Sequence, residues 1–246
     1  MYILCIVYVS EGIRPHIIER LSLSATSQKQ QCALKLAHVF RDAFYNRTGF
    51  YLIGEKSGVV KSALALCTAA FDLLNFKNHR GTHPTLGIVD HVCFTPLQLV
   101  SGNQDLENTC IAETNMAADE FCDQLHEHKR VLVFKYGRIS TCNLPLANIR
   151  RRLGYFENLL VTPSSDAIHG PASRLLNSFQ SNEIIADIGT FNKMDTACLT
   201  TLLEKGITCV GSIPYIMNYN LRFHPNDSFT KVKEITKIVR STEVSC

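Results

Sequence analysis

Apolar positions along the chain fall into runs whose period changes from segment to segment, and each period predicts an element. Residues 2–9 form an unbroken β-branched and aromatic run, which predicts a strand buried on both faces and ended by Ser10-Glu11-Gly12. Ile13, Ile17, Ile18, Leu21 and Leu23 recur at helical spacing, predicting a helix over 13–26, with polar sequence at 24–31 making a loop. Leu34, Leu36, His38 and Phe40 alternate with smaller or polar neighbours, and a second strand-like run follows at 49–54 across Tyr45-Asn46-Arg47, which predicts a hairpin. From Ser57, an expected N-cap, Val60, Leu64, Cys67, Phe71 and Leu74 mark one helix face. Leu86 to Leu97 returns to strand. The order β-α-β-β-α-β is that of a ferredoxin-like split βαβ, so the N-terminal part is expected to be an α+β subdomain.

Beyond it, a helix over about 106–126 and a strand at Val131–Tyr136, punctuated by Gly137, are expected to extend this half. Asn143–Leu160 reads as a connecting helical segment. Turn formers cluster at Thr162-Pro163-Ser164-Ser165 and Gly170-Pro171, which places a boundary at about 160–171. The division expected is therefore 1–165 and a smaller α/β subdomain at 166–246. That second part should hold a helix near 172–179, a strand at 184–188, a helix at 194–204, a strand from Ile207 through Phe223 broken at Gly211–Pro214, and a helix at 228–241.

Composition narrows the function classes. A net charge of +3 over 246 residues is nearly neutral, so no nucleic-acid or anionic-membrane partner is expected, although a local basic lining for an acidic small molecule is compatible with it. The ten cysteines are scattered, form no Cys-x-x-Cys pair and sit mostly inside apolar runs. They are expected as small buried hydrophobes in a reducing compartment, which makes cytoplasm the default. The opening apolar run is too short and lacks the basic flank of a signal peptide or membrane span.

Candidate chemistry concentrates in Asn78–His91, where His79, His83 and His91 stand with Arg80 and Asp90 among Gly81, Gly87 and Pro84. Proline disfavours helix in the residue before it, so His83 is expected on an extended, rigid segment, either as a general acid–base or as one histidine of a solvated polar loop. His79 and His83 have the i, i+4 spacing of two metal ligands on a helix, but Gly81 and Pro84 argue against a helix through them, so no metal is expected. Asp90 is placed to orient a histidine or to pair with Arg80. Asp42, Asn46, Arg47 and Thr48 gather at the hairpin, where an arginine beside an amide and a hydroxyl suits a carboxylate. Arg150-Arg151-Arg152 reads as a solvated helix face. There is no Gly-x-Ser-x-Gly elbow, Gly-x-Gly-x-x-Gly or phosphate loop, and Cys93 lies in an apolar strand that disfavours a thiolate.

Val9-Ser10-Glu11-Gly12, Asp42 with Asn46-Arg47-Thr48, His79-Arg80-Gly81-Thr82-His83-Pro84 through Gly87 and Asp90, Tyr136-Gly137, and Leu146 to Gly154-Tyr155 together resemble the formiminotransferase domain family. Pro214 to Asn220 is similar to the family's apolar strand ending in asparagine. The resemblance implies two ferredoxin-like subdomains, with tetrahydrofolate bound between them as co-substrate. It implies transfer of a formimino group from N-formiminoglutamate, a small acidic one-carbon donor, to folate N5. On this likeness His83 is the acid–base, with Asp42 and Asp90 as further catalytic groups. Asn46, Arg47, Thr48, His79, Arg80, Gly81, Gly87, Tyr136, Gly137 and Asn220 are the implied substrate or folate contacts, and a homodimer is compatible with it. The chain departs from the family at Thr82, where an acidic residue is usual, and at Thr85, where a basic one is. Those departures keep a non-catalytic folate-binding protein as the alternative, and a metal hydrolase built on His79, His83 and His91 as a third class.

Overall fold

The computed structural model describes residues 1–27, 34–97, 103–155, 171–181, 184–192, 194–214, 226 and 228–241. Strand β1 (Ile3–Val9) pairs antiparallel with β3 (Arg47–Gly54) on one side and with β4 (Val89–Pro96) on the other. Strand β2 (Leu34–Asp42) pairs antiparallel with β3, giving the order β2-β3-β1-β4. Helices α1 (Pro15–Thr26) and α2 (Lys56–Leu73) make the two crossovers, each spanning a gap that a strand of the other crossover fills. The α+β class expected from the pattern is therefore the class observed.

The sheet then changes character. Helix α3 (Gln104–Lys129) leads from β4 to β5 (Leu132–Gly137), and β6 (Ile207–Ser212) enters between those two strands, parallel to both. The strand expected at 207 in a separate half thus completes this sheet. Its residues are buried throughout, and it has a strand neighbour on each side.

Alternation along the strands sends two kinds of side chain to two faces. Cys5, Val7, Phe50, Leu52, Val92 and Phe94 are buried in the core with Val59, Ala63 and Leu66 of α2 and Phe121 of α3. Burying a large aliphatic or aromatic side chain there contributes about 1.5–3 kcal/mol each. Tyr8, His91 and Tyr136 alternate to the other face, where their rings meet.

Between β4 and the start of β6 the backbones are in close approach. Gly87 bridges Gly206, and a Cβ at Gly87 would stand 2.3 Å from the Ile207 carbonyl oxygen. Gly87→Ala is expected to destabilise the fold by about 1–3 kcal/mol, read as a lower thermal midpoint. An unchanged midpoint would refute the close contact.

Other elements refine the reading from sequence. Helix α2 begins one residue before Ser57, and its N-cap is Glu55, whose side chain makes no capping bond. Helices α4 (Leu146–Arg152), α5 (Pro171–Ser181) and α6 (Thr196–Lys205) follow. No strand forms over Ile184–Ile188, where only Ile188 bridges Val133. Much of the boundary region at 160–171, the end of the connecting segment, and Asn220 lie outside the described residues. Met1–Tyr215 forms one compact unit and Ile216–Cys246 another, the latter containing helix α7 (Phe229–Ser241). Among the described residues no helix is long and apolar enough to cross a membrane.

Candidate active site

The site grows from two turns. The hairpin after β2 closes when the Asp42 carboxylate accepts from the Tyr45 amide at 2.9 Å, and Asn46 sits in the left-handed region at φ 52°. The Asn46 side chain then joins three segments. Its Oδ1 accepts from the Gly12 amide and its Nδ2 donates to the Arg80 carbonyl, both at 2.7 Å. The His-rich stretch is thereby tied to the hairpin, and Thr82 adds a bond to the Phe44 carbonyl at 2.8 Å. Gly81 is needed at this crossing, since a Cβ would come within 2.6 Å of the Tyr45 carbonyl oxygen.

A β-bulge sets the centre. Tyr8 of β1 faces His91 and Val9 faces Val89, so Asp90 is the extra residue on β4. Such a residue is re-aimed, and the Asp90 carboxylate reaches Arg47 and Arg150 together. Its Oδ2 stands 3.2 Å from Arg47 Nη2 and 2.9 Å from Arg150 Nη2, while Oδ1 accepts from the Leu86 amide at 2.9 Å. Burial alone would raise the pKa of this 1% exposed carboxyl, but Arg150, Arg47 and the Leu86 amide outweigh it and hold it at about 2.

Each arginine also lies over a tyrosine. The guanidinium carbon of Arg47 is 4.4 Å from the Tyr8 ring centre, and that of Arg150 is 4.3 Å from the Tyr155 ring centre. Burial and the nearby Asp90 raise the Tyr155 pKa to about 12. Two guanidiniums share one carboxylate, which leaves the cluster positive.

His83 stands beside this cluster, half-buried between the rings of Tyr45 and Tyr155. Its Nδ1 is 2.7 Å from the Pro84 carbonyl oxygen, which can only accept. With the ring proton placed on Nδ1 the lone pair is on Nε2, and Arg47 Nη1 lies beside both nitrogens, 3.2 Å from Nδ1 and 3.4 Å from Nε2. Burial, then the Arg47 charge, lower the His83 pKa, so the ring is neutral near pH 7. That is the state a general base requires.

The other candidates have structural partners. His79 donates from Nδ1 to the Ser10 carbonyl at 3.1 Å, and burial lowers its pKa. His91 stacks on Tyr8 and pairs through Nε2 with the Tyr136 hydroxyl at 2.5 Å. Thr48 donates to the Glu11 carbonyl, and Arg80 turns back to the Lys77 and His79 carbonyls instead of meeting Asp90. Gly137, at φ 63°, turns the chain out of β5. Asp42 serves the hairpin turn, and Thr85 shares hydrogen bonds with the Ser10 hydroxyl and the Gly87 carbonyl. A cleft of about 570 Å³ lies nearby, with His79 and not His83 on its wall. Among the described residues no group of three or more His, Cys, Asp or Glu side chains could hold a metal ion. Cys5, Cys67, Cys93, Cys110, Cys122 and Cys209 are free and buried, while Cys142 is exposed.

Arg150 corrects the reading of its segment as a solvated face. Arg151 and Arg152 are exposed, but Arg150 turns inward to Asp90. The signal was available, because Leu146, Ile149 and Leu153 form a helical stripe and Arg150 falls on it, one residue after Ile149 and three before Leu153.

Comparison with known proteins agrees with the motifs. Residues 2–211 match the family described as the formiminotransferase domain, N-terminal subdomain. The chain is 26% identical over 243 residues to the formiminotransferase cyclodeaminase-like protein of Arabidopsis thaliana, covering 97% of this chain and 71% of that protein. It is 32% identical over 133 residues to the formimidoyltransferase-cyclodeaminase of Gallus gallus, covering 54% of this chain and 22% of the relative. To the glutamate formimidoyltransferase of Streptococcus pyogenes serotype M1 it is 28% identical over 103 residues, 42% of this chain and 33% of the other.

Proposed function

Since the chain belongs to the formiminotransferase domain family through its N-terminal subdomain, we propose that it is a folate-dependent transferase that moves a formimino group from N-formiminoglutamate to N5 of tetrahydrofolate. The observation that carries this reading is the placement of His83, its Nδ1 2.7 Å from the Pro84 carbonyl oxygen and its ring beside a cationic, tyrosine-lined cluster. In the reaction, the folate N5 bonds to the formimino carbon and gives up its proton, and His83 Nε2 takes it. The bond from that carbon to the glutamate nitrogen breaks, and the same proton returns to the departing nitrogen. Arg47 serves the donor's carboxylate, and an arginine drawn toward that anion frees the His83 lone pair. Tyr45, 40% exposed beside His83, offers an aromatic face to the flat pterin. Holding both substrates together supplies much of the remaining acceleration. The free, buried cysteines fit a reducing compartment, so we place the reaction in the cytoplasm.

One observation favours a second reading, a folate-binding protein without turnover. The hydroxyls of Thr82 and Thr85 are spent on bonds that brace the loop, and neither position offers His83 an ionisable neighbour. The two readings part in one experiment: tetrahydrofolate titration of the purified protein, followed by N-formiminoglutamate and detection of 5-formiminotetrahydrofolate. Binding with product formation is the expected result. Binding without product selects the second reading, and no binding sinks both.

A further inference from the structure

We propose that Arg150 and Arg47 together form a carboxylate clamp, and that Arg150 is the residue that makes the site selective for an acidic donor. The inference rests on the proposed reaction for the identity of the donor, but the binding it asserts stands on the geometry alone. Asp90 cannot saturate the two arginines. Its Oδ1 is committed to the Leu86 amide, so a single oxygen, Oδ2, serves Nη2 of both guanidiniums. Neither arginine therefore has the two-bond, fork-to-fork pairing that its planar head is built for. The Nε donor of each is buried without an acceptor, a further sign that the cluster holds more donors than its one internal carboxylate can serve.

Charge points the same way. Two guanidiniums against one ionised carboxylate leave an excess positive charge in a largely desolvated site, which a ligand carboxylate would neutralise. Access exists, since both arginine side chains keep 15% of their surface exposed. Orientation is also preset: Tyr8 lies under one guanidinium and Tyr155 under the other, so little ordering remains when the ligand arrives. His83 contacts Arg47, so a carboxylate held here belongs to a molecule whose reactive part lies beside the imidazole.

Calorimetric titration with glutarate tests the clamp without any transfer chemistry, with neutral glutaramide and inorganic phosphate as comparison probes and folate titration on the same preparations. The wild-type protein is expected to bind glutarate, to ignore glutaramide and to prefer glutarate to phosphate. R150Q should weaken glutarate by about tenfold or more, the size expected for charge-assisted hydrogen bonds, and leave folate affinity unchanged. R150K, which keeps the charge but loses the fork, should recover only part of the loss. Wild-type protein that does not bind glutarate, or glutarate affinity that survives R150Q, overturns the clamp whatever the transfer assay gives. Equal affinity for phosphate overturns its selectivity for carboxylates. Should R150Q also lose folate and its native circular dichroism, R150K decides, and an unchanged glutarate affinity in that variant overturns the proposal. Arg150-dependent glutarate binding without formimino transfer would sink the reaction and leave the clamp in place.

Discussion

Asp90→Ala is expected to lower the free energy of unfolding by about 3–5 kcal/mol, because it strands two buried guanidiniums that now share one carboxylate. Denaturant titration followed by circular dichroism measures the loss, and a difference close to zero would show that Arg47 and Arg150 find other partners. Asp90→Asn should cost less, since the amide oxygen can still accept from Leu86 while the charge is gone. The pH dependence has a definite sign. The folded pKa of about 2 lies below the value of roughly 3.9 for an unfolded aspartate, so the stabilisation is complete above about pH 4 and is lost as the pH falls toward 2. On the order of 2–3 kcal/mol belongs to this one group. The gap between wild type and Asp90→Asn should therefore narrow in acid, and a gap that stays constant from pH 6 to pH 2 would contradict the assignment.

His83→Ala is expected to reduce turnover by about 100- to 10,000-fold, the range for losing a general acid–base, while folate still binds. Steady-state rates and folate titration on one preparation separate the two effects. Because burial and Arg47 push the His83 pKa below its ordinary value of 6.5, wild-type activity should fall on the acid side only below that pH. The residual activity of the variant should lack this acid limb. An unaltered rate in His83→Ala, or an acid limb that survives it, would move the base to another residue.

Much of this was legible in the sequence because the signals are local. The unbroken apolar run of β1, the alternation in β2 and the four-and-three spacing along α2 each report a period that one element imposes, and together they give the split crossover order. The non-helical backbone at His83 was legible for the same reason, since Pro84 beside it restricts the backbone whatever else the fold does. The place of β6 was not. Which strand fills the space between β4 and β5 depends on sheet packing between segments far apart in the chain, His91 against Cys209 and Leu132 against Ile207, and no local period encodes it. The bulge at Asp90 is equally silent, because a register shift belongs to the pairing of two strands and not to either strand's residues. That shift is why Asp90 meets Arg47 and Arg150 and not Arg80. Arg150 itself was hidden by its neighbours: three consecutive arginines suggest a wet surface, and only the flanking Ile149 and Leu153 mark the run's first residue as inward. Asp42 illustrates the reverse case, a residue whose chemistry suggests catalysis and whose observed bond closes a turn.

Strand β4 runs antiparallel to β1 on one edge and parallel to β6 on the other, and Asp90 lies at its beginning. Arg47 comes from the antiparallel side of this seam and Arg150 from the helix that follows β5 on the parallel side. An anion gripped by both arginines would act as a staple between segments a hundred residues apart, so occupancy of the site should be felt as resistance to pulling the sheet open along β4, far from the ligand itself.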